Sequence, residues 1–208
     1  LLLKLYPIED GHITLNDIDI NQLSLEVLRE NIGFVPQENF LFSTTIRQNI
    51  SFYHEGITNE EVEQAARMSG VYDNIIEFPN GFDTVVGERG VTLSGGQRQR
   101  VSIARALAKN PSVLILDDSL SAVDTETEAE ILQNLKSVMK KRTGIIISHR
   151  ASTVMHSDRI IYLEDGAIIE EGNHQELMDL KGAYYKLYVS QTERSGNENP
   201  GGSDGSGK

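Results

Sequence analysis

The sequence of 208 residues lacks cysteine, has little positive charge and contains no long apolar run. Without cysteine it can form no disulfide and no thiolate metal site, which fits a reducing compartment. Its 19 lysine and arginine residues are outnumbered by 31 aspartate and glutamate residues, giving a net charge of −12. A chain this acidic, with no basic stripe, is not expected to take a nucleic-acid backbone as its main partner. No apolar run approaches the ~20 residues that a membrane-crossing helix needs.

The most informative stretch that is present is residues 93–100, which read Leu-Ser-Gly-Gly-Gln-Arg-Gln-Arg. Ser94 followed three residues later by Gln97 is a capping-box pattern, so it predicts the start of a helix. Gly95 and Gly96 in the first turn permit the close approach of another backbone or of a phosphate. Because a helix N-terminus offers free N–H groups and the positive end of the helix dipole, we expect this tip to suit an anion.

The next element ends in two carboxylates. Residues 113–116 are uninterruptedly apolar and are followed by Asp117 and Asp118. A second apolar run leads to His149, and uninterrupted runs of this kind are typical of parallel strands covered on both faces. Gln37 follows a third, shorter run, so it also lies at the carboxyl end of a strand, where open α/β sheets bind ligands. A helix whose N-terminus suits phosphate, followed in the sequence by a strand that ends in two carboxylates, indicates nucleotide and metal chemistry.

The other patterns place these motifs in an α/β chain with a helical insertion. Turn pairs at residues 16–17 and 165–166 predict antiparallel hairpins. Strand signals almost vanish from residue 40 to residue 107, where capping patterns predict short helices instead. The predicted organisation is an α/β core at residues 1–40 and 107–190, a helical subdomain at residues 41–106, and a disordered Gly/Ser-rich tail at residues 191–208.

Taken together, these motifs resemble the nucleotide-binding domain of ATP-binding cassette (ABC) transporters, in particular of the exporter type, from residue 1 to about residue 190. In chain order, the matching motifs are the Q-loop at residues 34–37, the exporter segment at 42–50, the X-loop at 84–90, the signature at 93–97, the Walker B strand at 113–118, the D-loop at 121–124 and the switch histidine at 149. The resemblance implies a P-loop NTPase (RecA-like) core with a parallel sheet, an antiparallel β subdomain and a helical insertion. It also implies ATP hydrolysis with Mg²⁺.

The resemblance implies roles at the chain's own nucleotide site. Asp117 would hold Mg²⁺ through water, Gln37 would contact Mg²⁺ or the attacking water, and His149 would reach the γ-phosphate. Asp118 stands where active members of the family usually have glutamate, the group that polarises the attacking water. Because a displacement of ~1 Å can cost on the order of 10²-fold in rate, we expect this site to bind ATP and hydrolyse it slowly. The alternative is that Asp118 works through a reorganised water.

The signature is expected to act on another subunit. In the family two such domains pair head to tail, so Ser94, Gly95, Gly96 and Gln97 would contact the ATP that the partner binds. Asp124 in the D-loop would have two compatible roles, as a residue of the ATP site and as the N-cap of a helix. A full signature beside a shortened acid resembles heterodimeric exporters, so we expect a non-identical partner domain that carries glutamate. We also expect a transmembrane domain as partner and a position at the cytoplasmic face of the membrane.

The two ends of the sequence raise separate expectations. Residues 1–6 read as the end of a helix, and the family's phosphate-binding loop and adenine-stacking aromatic are expected upstream, so the sequence is expected to be a fragment. Residues 202–208 fit the phosphate-loop pattern up to its lysine. We interpret them as a flexible tail, since no Ser or Thr follows Lys208 to bind Mg²⁺. A circularly permuted phosphate loop is the alternative.

Two other functions remain open at this point. Asp118 keeps open a regulatory subunit that binds nucleotide, clamps its partner and hydrolyses little. A soluble ABC ATPase of DNA repair or translation is disfavoured by the acidic charge and by the exporter-like loops. Glu88 and Arg89 in the X-loop are expected to meet the transmembrane helices, and a solvated turn is the alternative for them.

Overall fold

The computed structural model describes residues 1–52, 54, 56–87, 90–140 and 142–197. The chain divides into two units, Leu1–Ile147 and Ser148–Lys208. The subdomain boundaries at residues 40 and 107 stay a prediction, because the division into units falls elsewhere and does not test them.

A parallel sheet forms the centre of the first unit. Its strands are, in spatial order, β3 (Ile32–Val35), β4 (Val113–Asp117) and β5 (Thr143–Ile147). The register pairs Val35 with Leu116, and Asp117 with Ile147, so the carboxyl ends of the three strands meet at one edge. This confirms the parallel sheet that the apolar runs predict.

Helices cover this sheet. The described residues of the first unit form α1 (Leu25–Glu30), α2 (Ile46–Ser51), α3 (Asn59–Met68), α4 (Tyr72–Ile76), α5 (Gly95–Ala108) and α6 (Thr125–Met139). On β4, Leu114 and Leu116 join the core formed with α2, α3, α5 and α6, while Val113 and Ile115 join a second cluster on the opposite face. The strand is therefore buried on both faces, as its sequence requires.

The packing of α5 on the sheet is unusually close at one point. Gly33 of β3 lies so near α5 that an added Cβ would be 2.8 Å from the backbone oxygen of Ala106. The same Cβ would lie 2.8 Å from Cγ of Pro111 in the turn between α5 and β4. Only glycine fits there, so the C-terminal part of α5 has a fixed place on the sheet.

The N-terminal residues correct one prediction and confirm another. Residues 1–6 form turns and bends instead of the end of a helix, and Lys4 has a φ of 51°. The Lys4 ammonium donates to the carbonyl oxygens of Ile20 and Leu23, both at 3.1 Å, and these bonds favour a compact turn over a helix. The first predicted hairpin is present, with strands β1 (Thr14–Leu15) and β2 (Ile18–Asp19).

The second unit contains a hairpin and three helices among its described residues. These elements are α7 (Ala151–Val154), β6 (Ile160–Glu164), β7 (Ala167–Gly172), α8 (His174–Leu180) and α9 (Ala183–Asn197). The predicted turn joins β6 to β7, with φ values of 50° at Asp165 and 78° at Gly166. A small core forms from Ala151, Ile160, Leu177 and Tyr184.

The last helix is longer than the sequence analysis predicts. α9 continues to Asn197, so residues 191–197 are helical where a disordered tail is predicted. Gln191, Thr192 and Glu193 are compatible with a helix, and the proline and most glycines of the tail come later, from residue 200 onward. Residues 198–208 lie outside the described part of the chain. Within the described part, no helix combines the length and the apolar character that crossing a membrane requires.

Candidate functional site

The N-terminal tip of α5 is the first part of the candidate site. The hydroxyl of Ser94 accepts a hydrogen bond from the backbone N–H of Gln97 at 3.1 Å. Oε1 of Gln97 in turn accepts from the N–H of Ser94 at 2.9 Å. The predicted capping box is therefore confirmed. The first N–H groups of a helix have no partner within the helix, so this tip can donate to an anion.

Gly95 and Gly96 differ in their surroundings. A Cβ on Gly96 would lie 3.1 Å from the carbonyl oxygen of Ala122, so that glycine allows the tip to pack against the loop after β4. A Cβ on Gly95 would meet only the Cβ of Ala122, at the ordinary distance of 3.7 Å, and Gly95 is exposed. The tip is thus seated on its own chain at Gly96 and open to another molecule at Gly95.

The acid pair lies at the end of β4. Asp117 is the last residue of the strand, and Asp118 follows with a φ of 43°, in the left-handed region that residues other than glycine seldom adopt. The Asp118 N–H donates to the carbonyl oxygen of Ile147 at 2.8 Å, and its own carbonyl oxygen accepts from the Ser121 hydroxyl at 2.9 Å. These bonds hold a conformation that costs on the order of 1 kcal/mol. The backbone therefore fixes the direction in which the Asp118 side chain leaves the chain.

Gln99 connects the helix tip to the acid loop, and the sequence analysis missed it. Its side chain is only 2% exposed. Oε1 accepts from the N–H of Ala122 at 3.0 Å, while Nε2 lies 3.5 Å from the carbonyl oxygen of Asp118 and 3.5 Å from the Ser121 hydroxyl. The available signal was helical spacing, because Gln99 lies four residues before the buried Ile103. A buried glutamine on an apolar face needs polar partners, and here they belong to the loop that follows β4 and carries Asp118.

Gln37 lies at the same edge of the sheet as the acids. It follows β3 by two residues, and the last residue of β3, Val35, pairs with Leu116 next to Asp117. Gln37 is exposed, and its backbone oxygen accepts from Nδ2 of Asn39 at 3.4 Å. One carboxylate and one amide fit Mg²⁺ in a nucleotide site, where water and phosphate oxygens complete the coordination. The described residues contain no group of three His, Cys, Asp or Glu side chains that could hold a metal by themselves.

Asp124 caps α6, as predicted. Its Oδ1 accepts from the N–H of Thr127 at 2.9 Å. This hydrogen bond lowers the pKa of Asp124, and the positive charge of Arg100 on α5 acts in the same direction. The carboxylate is exposed, so it offers an accessible negative charge near Arg100 of α5.

His149 belongs to the second unit. It follows the last residue of β5 by two positions and is exposed. Its backbone oxygen accepts from Nε2 of Gln191 on α9 at 2.7 Å. The structure thus brings the signature tip, the acid pair, Asp124 and Gln37 into the first unit and places His149 in the second. The role of His149 at a γ-phosphate stays a prediction.

An exposed aromatic cluster lies in the segment after Gln37. Phe40, Phe42 and Phe52 are 66%, 40% and 49% exposed, and the ring centroids of Phe40 and Phe42 are 4.9 Å apart. Arg105 of α5 lies over two of these rings, 5.3 Å from the centroid of Phe52 and 5.9 Å from that of Phe42. Its guanidinium also donates to the backbone oxygen of Asn49 at 2.7 Å. Aromatic rings held rigidly at a surface are suited to contact another protein.

Two predicted features cannot be located. Glu88 and Arg89 of the X-loop, and the glycine-rich residues 202–208, lie outside the residues that the structure describes. Their predicted roles are neither supported nor contradicted.

The comparison with known families gives a clear assignment. The model of the family described as ABC transporter matches residues 1–121, more than half of the chain. The chain belongs to the ABC transporter family. The resemblance seen in the sequence is confirmed, and so is the predicted fold class.

Relatives and a solved structure extend the match over most of the chain. Human ATP-binding cassette sub-family B member 5 is 46% identical over 198 residues, which are 95% of this chain and 16% of the relative. The probable multidrug resistance ABC transporter ATP-binding/permease protein YheI of Bacillus subtilis (strain 168) is 47% identical over 190 residues, 91% of this chain and 32% of the relative.

The structure of a bacterial Atm1-family ABC exporter with ATP bound matches with a TM-score of 0.87 and 41% identity. The match covers 92% of this chain and 34% of that chain. This chain therefore spans about a third or less of the length of the proteins to which it is similar.

The buried position of Gln99 leads to a prediction about stability. Replacing Gln99 with leucine should destabilise the fold by about 1–3 kcal/mol, because the Ala122 N–H loses its buried acceptor. Urea unfolding gives the free-energy change, and hydrogen exchange at the Ala122 amide should become faster. Gln64 on α3 is exposed, so Gln64→Leu is the control and should change stability by less than about 0.5 kcal/mol. Equal effects of the two substitutions would contradict the role of Gln99.

Proposed function

We propose that this chain is the ATP-binding domain of an exporter-type ABC transporter, and that ATP-driven pairing of two such domains drives transport across a membrane. The observation that carries the proposal is the direct connection between the α5 tip and the acid loop through Gln99. It joins a surface suited to a phosphate with carboxylates suited to Mg²⁺ and water within one unit. Membership of the family and the names of the relatives support the same function.

In this proposal the residues divide between two nucleotides. Asp117, helped by Gln37, would hold the Mg²⁺ that accompanies the chain's own ATP, and the metal would neutralise charge on the phosphates. Asp118 would accept a proton from the attacking water. Ser94, Gly95, Gly96 and Gln97 would serve ATP bound by the partner domain, with Asp124 beside them.

The length of the Asp118 side chain supports a slow reaction at this chain's own site. The backbone of Asp118 is held on both sides by hydrogen bonds, to Ile147 and from Ser121, so the chain has little freedom to move the carboxyl forward. A misplacement of ~1 Å can cost on the order of 10²-fold in rate. We therefore infer that the partner is a non-identical domain, that it carries glutamate at the position matching Asp118, and that its ATP site hydrolyses faster.

Asp118→Glu tests this inference. The longer side chain should reach the water and raise turnover at this chain's own site by about 10- to 100-fold. Turnover is measured in the complete protein, together with its partner, with the partner's own glutamate replaced by glutamine. Asp73→Glu, at an exposed helical position, is the control and should leave turnover unchanged. No gain with Asp118→Glu would contradict the inference that the short side chain of Asp118 limits this site.

The open space at Gly95 allows a test of head-to-tail pairing. Gly95→Asp should fold, since its Cβ fits, but its carboxylate should repel the phosphate of the partner's ATP. We expect vanadate trapping of nucleotide to fall by at least about tenfold on the partner subunit, in line with the loss of one charge-assisted contact. The lower level of trapping expected at this chain's own slow site should not change.

Gly95→Ala adds the Cβ without the charge and is the matched control for that experiment. It should reduce trapping on the partner less than Gly95→Asp does. Loss of trapping on this chain, with trapping on the partner intact, would contradict the assignment of the signature to the partner's site.

The aromatic cluster is the surface that we assign to the transmembrane partner. Phe40 has the most exposed of the three rings. Its backbone carbonyl oxygen accepts a hydrogen bond from Nη1 of Arg105 at 3.0 Å. The cluster is thus apolar, accessible and rigid. A helix end from the membrane part would bury these rings and place the domain at the cytoplasmic face of the membrane.

Phe40→Ala tests this contact. Burying a phenylalanine contributes about 1.5–3 kcal/mol, so its loss should weaken association with the separately expressed transmembrane part by about tenfold or more. Ile76→Ala removes an exposed apolar side chain from α4 that is not one of the cluster's rings, and should leave association unchanged. Co-purification of the two parts is the measurement. Equal binding by both variants would reject this surface.

A further inference from the structure

The side chain of Gln191 on α9 binds the backbone on both sides of Arg150. Its Nε2 donates to the carbonyl oxygen of His149 at 2.7 Å, and its Oε1 accepts from the N–H of Ala151 at 2.9 Å. Both distances lie in the ordinary range for N–H···O hydrogen bonds. One carboxamide therefore fixes the three consecutive residues 149–151.

The Ala151 N–H that Gln191 binds has no hydrogen-bond acceptor within its own helix. α7 begins at Ala151, and its N-cap residue, Arg150, makes no capping hydrogen bond with its side chain. Gln191 therefore supplies an acceptor for the first N–H of α7, which has no partner within that helix. The hydroxyl of Ser148 accepts from the N–H of Arg150 at 3.0 Å. The backbone of this loop is thus held while the His149 side chain stays exposed.

α9 is itself held firmly enough to serve as a support. The carboxylate of Glu170 on β7 accepts from the N–H groups of Ala183 and Tyr184 at the start of α9, the latter at 3.0 Å. Tyr184 is 1% exposed, and its hydroxyl lies 2.8 Å from Nδ1 of His174. Gln191 comes seven residues after Tyr184, two helical turns along the same face. Its carboxamide therefore lies on the same face of α9 as Tyr184, the face that packs against the rest of the second unit.

We propose that Gln191 is a positioning residue for His149, so that α9 sets the place of the histidine that acts on the nucleotide. The proposal rests on the proposed ATP-binding function and on the role at the γ-phosphate that the sequence predicts for His149. A glutamine suits this position because one planar amide offers a donor to the His149 carbonyl and an acceptor to the Ala151 N–H. Glutamate would offer only acceptors, and leucine neither.

The first test measures the hydrogen bonds without any nucleotide. In the 208-residue chain, Gln191→Leu should speed hydrogen exchange at the Ala151 amide by about tenfold, because that N–H loses its acceptor. Thr192→Val is the matched control, since the Thr192 hydroxyl bonds only within its own helix, to the Tyr188 carbonyl at 2.9 Å. It should leave the Ala151 amide unchanged. Unchanged exchange in Gln191→Leu would overturn the proposal.

The second test measures the effect through His149. It uses the complete protein with its partner, with the partner's glutamate replaced by glutamine, and follows hydrolysis of ATP at this chain's own site. Gln191→Leu should lower kcat by about tenfold, a fraction of the ~10²-fold that a 1 Å misplacement can cost, with KM for ATP changed less than kcat. Gln191→Asn, which keeps the amide on a shorter arm, should fall between the wild type and Gln191→Leu.

The decisive comparison is made in the His149→Ala background. There Gln191→Leu should add no further loss, because the residue it positions is already gone. Multiplying losses would show a general structural effect and overturn the proposal. Normal hydrolysis by His149→Ala alone would reject the function assigned to His149, and with it any catalytic effect of Gln191, whereas the exchange experiment judges the hydrogen bonds independently.

Discussion

The close seating of α5 is the constraint on which the first unit depends. At one end of this helix, Gly33 leaves no room for a side chain beside Ala106. At the other end, Gly96 brings the helix tip to the carbonyl of Ala122. A helix of 14 residues held at both ends is a rigid element about 20 Å long. Any shift of its tip must therefore move the loop after β4 or break these close packing contacts.

The backbone around Asp118 bears on the proposed effect of the residue type at position 118. Asp118 stands in a left-handed backbone conformation, tied to β5 on one side and to Ser121 on the other. A flexible loop could advance a short carboxyl toward a water, but this loop cannot do so without losing those bonds. Side-chain length, and not backbone adjustment, therefore decides how far the carboxyl reaches.

Local patterns predicted what is local. The capping box at Ser94 and Gln97, the turn at Asp165 and Gly166, and the apolar run of β4 each carry their signal within a few residues, and each is confirmed. The turn at Lys4 depends on carbonyl groups sixteen and nineteen residues away, so a helix was predicted there. The partners of Gln99 come into reach only when α5 packs on the sheet, and no short pattern encodes such a meeting.

The two residues that the sequence analysis missed share one physical device. Gln99 on α5 and Gln191 on α9 are helical glutamines whose carboxamides bind backbone groups of a loop in their own unit. A carboxylate could not serve both a carbonyl and an N–H, and a hydroxyl is too short to span them. In each unit a glutamine thus orders a loop that carries candidate site residues before any ligand arrives. Preorganisation of this kind lowers the cost of binding, because the loop's conformational entropy is already lost on folding.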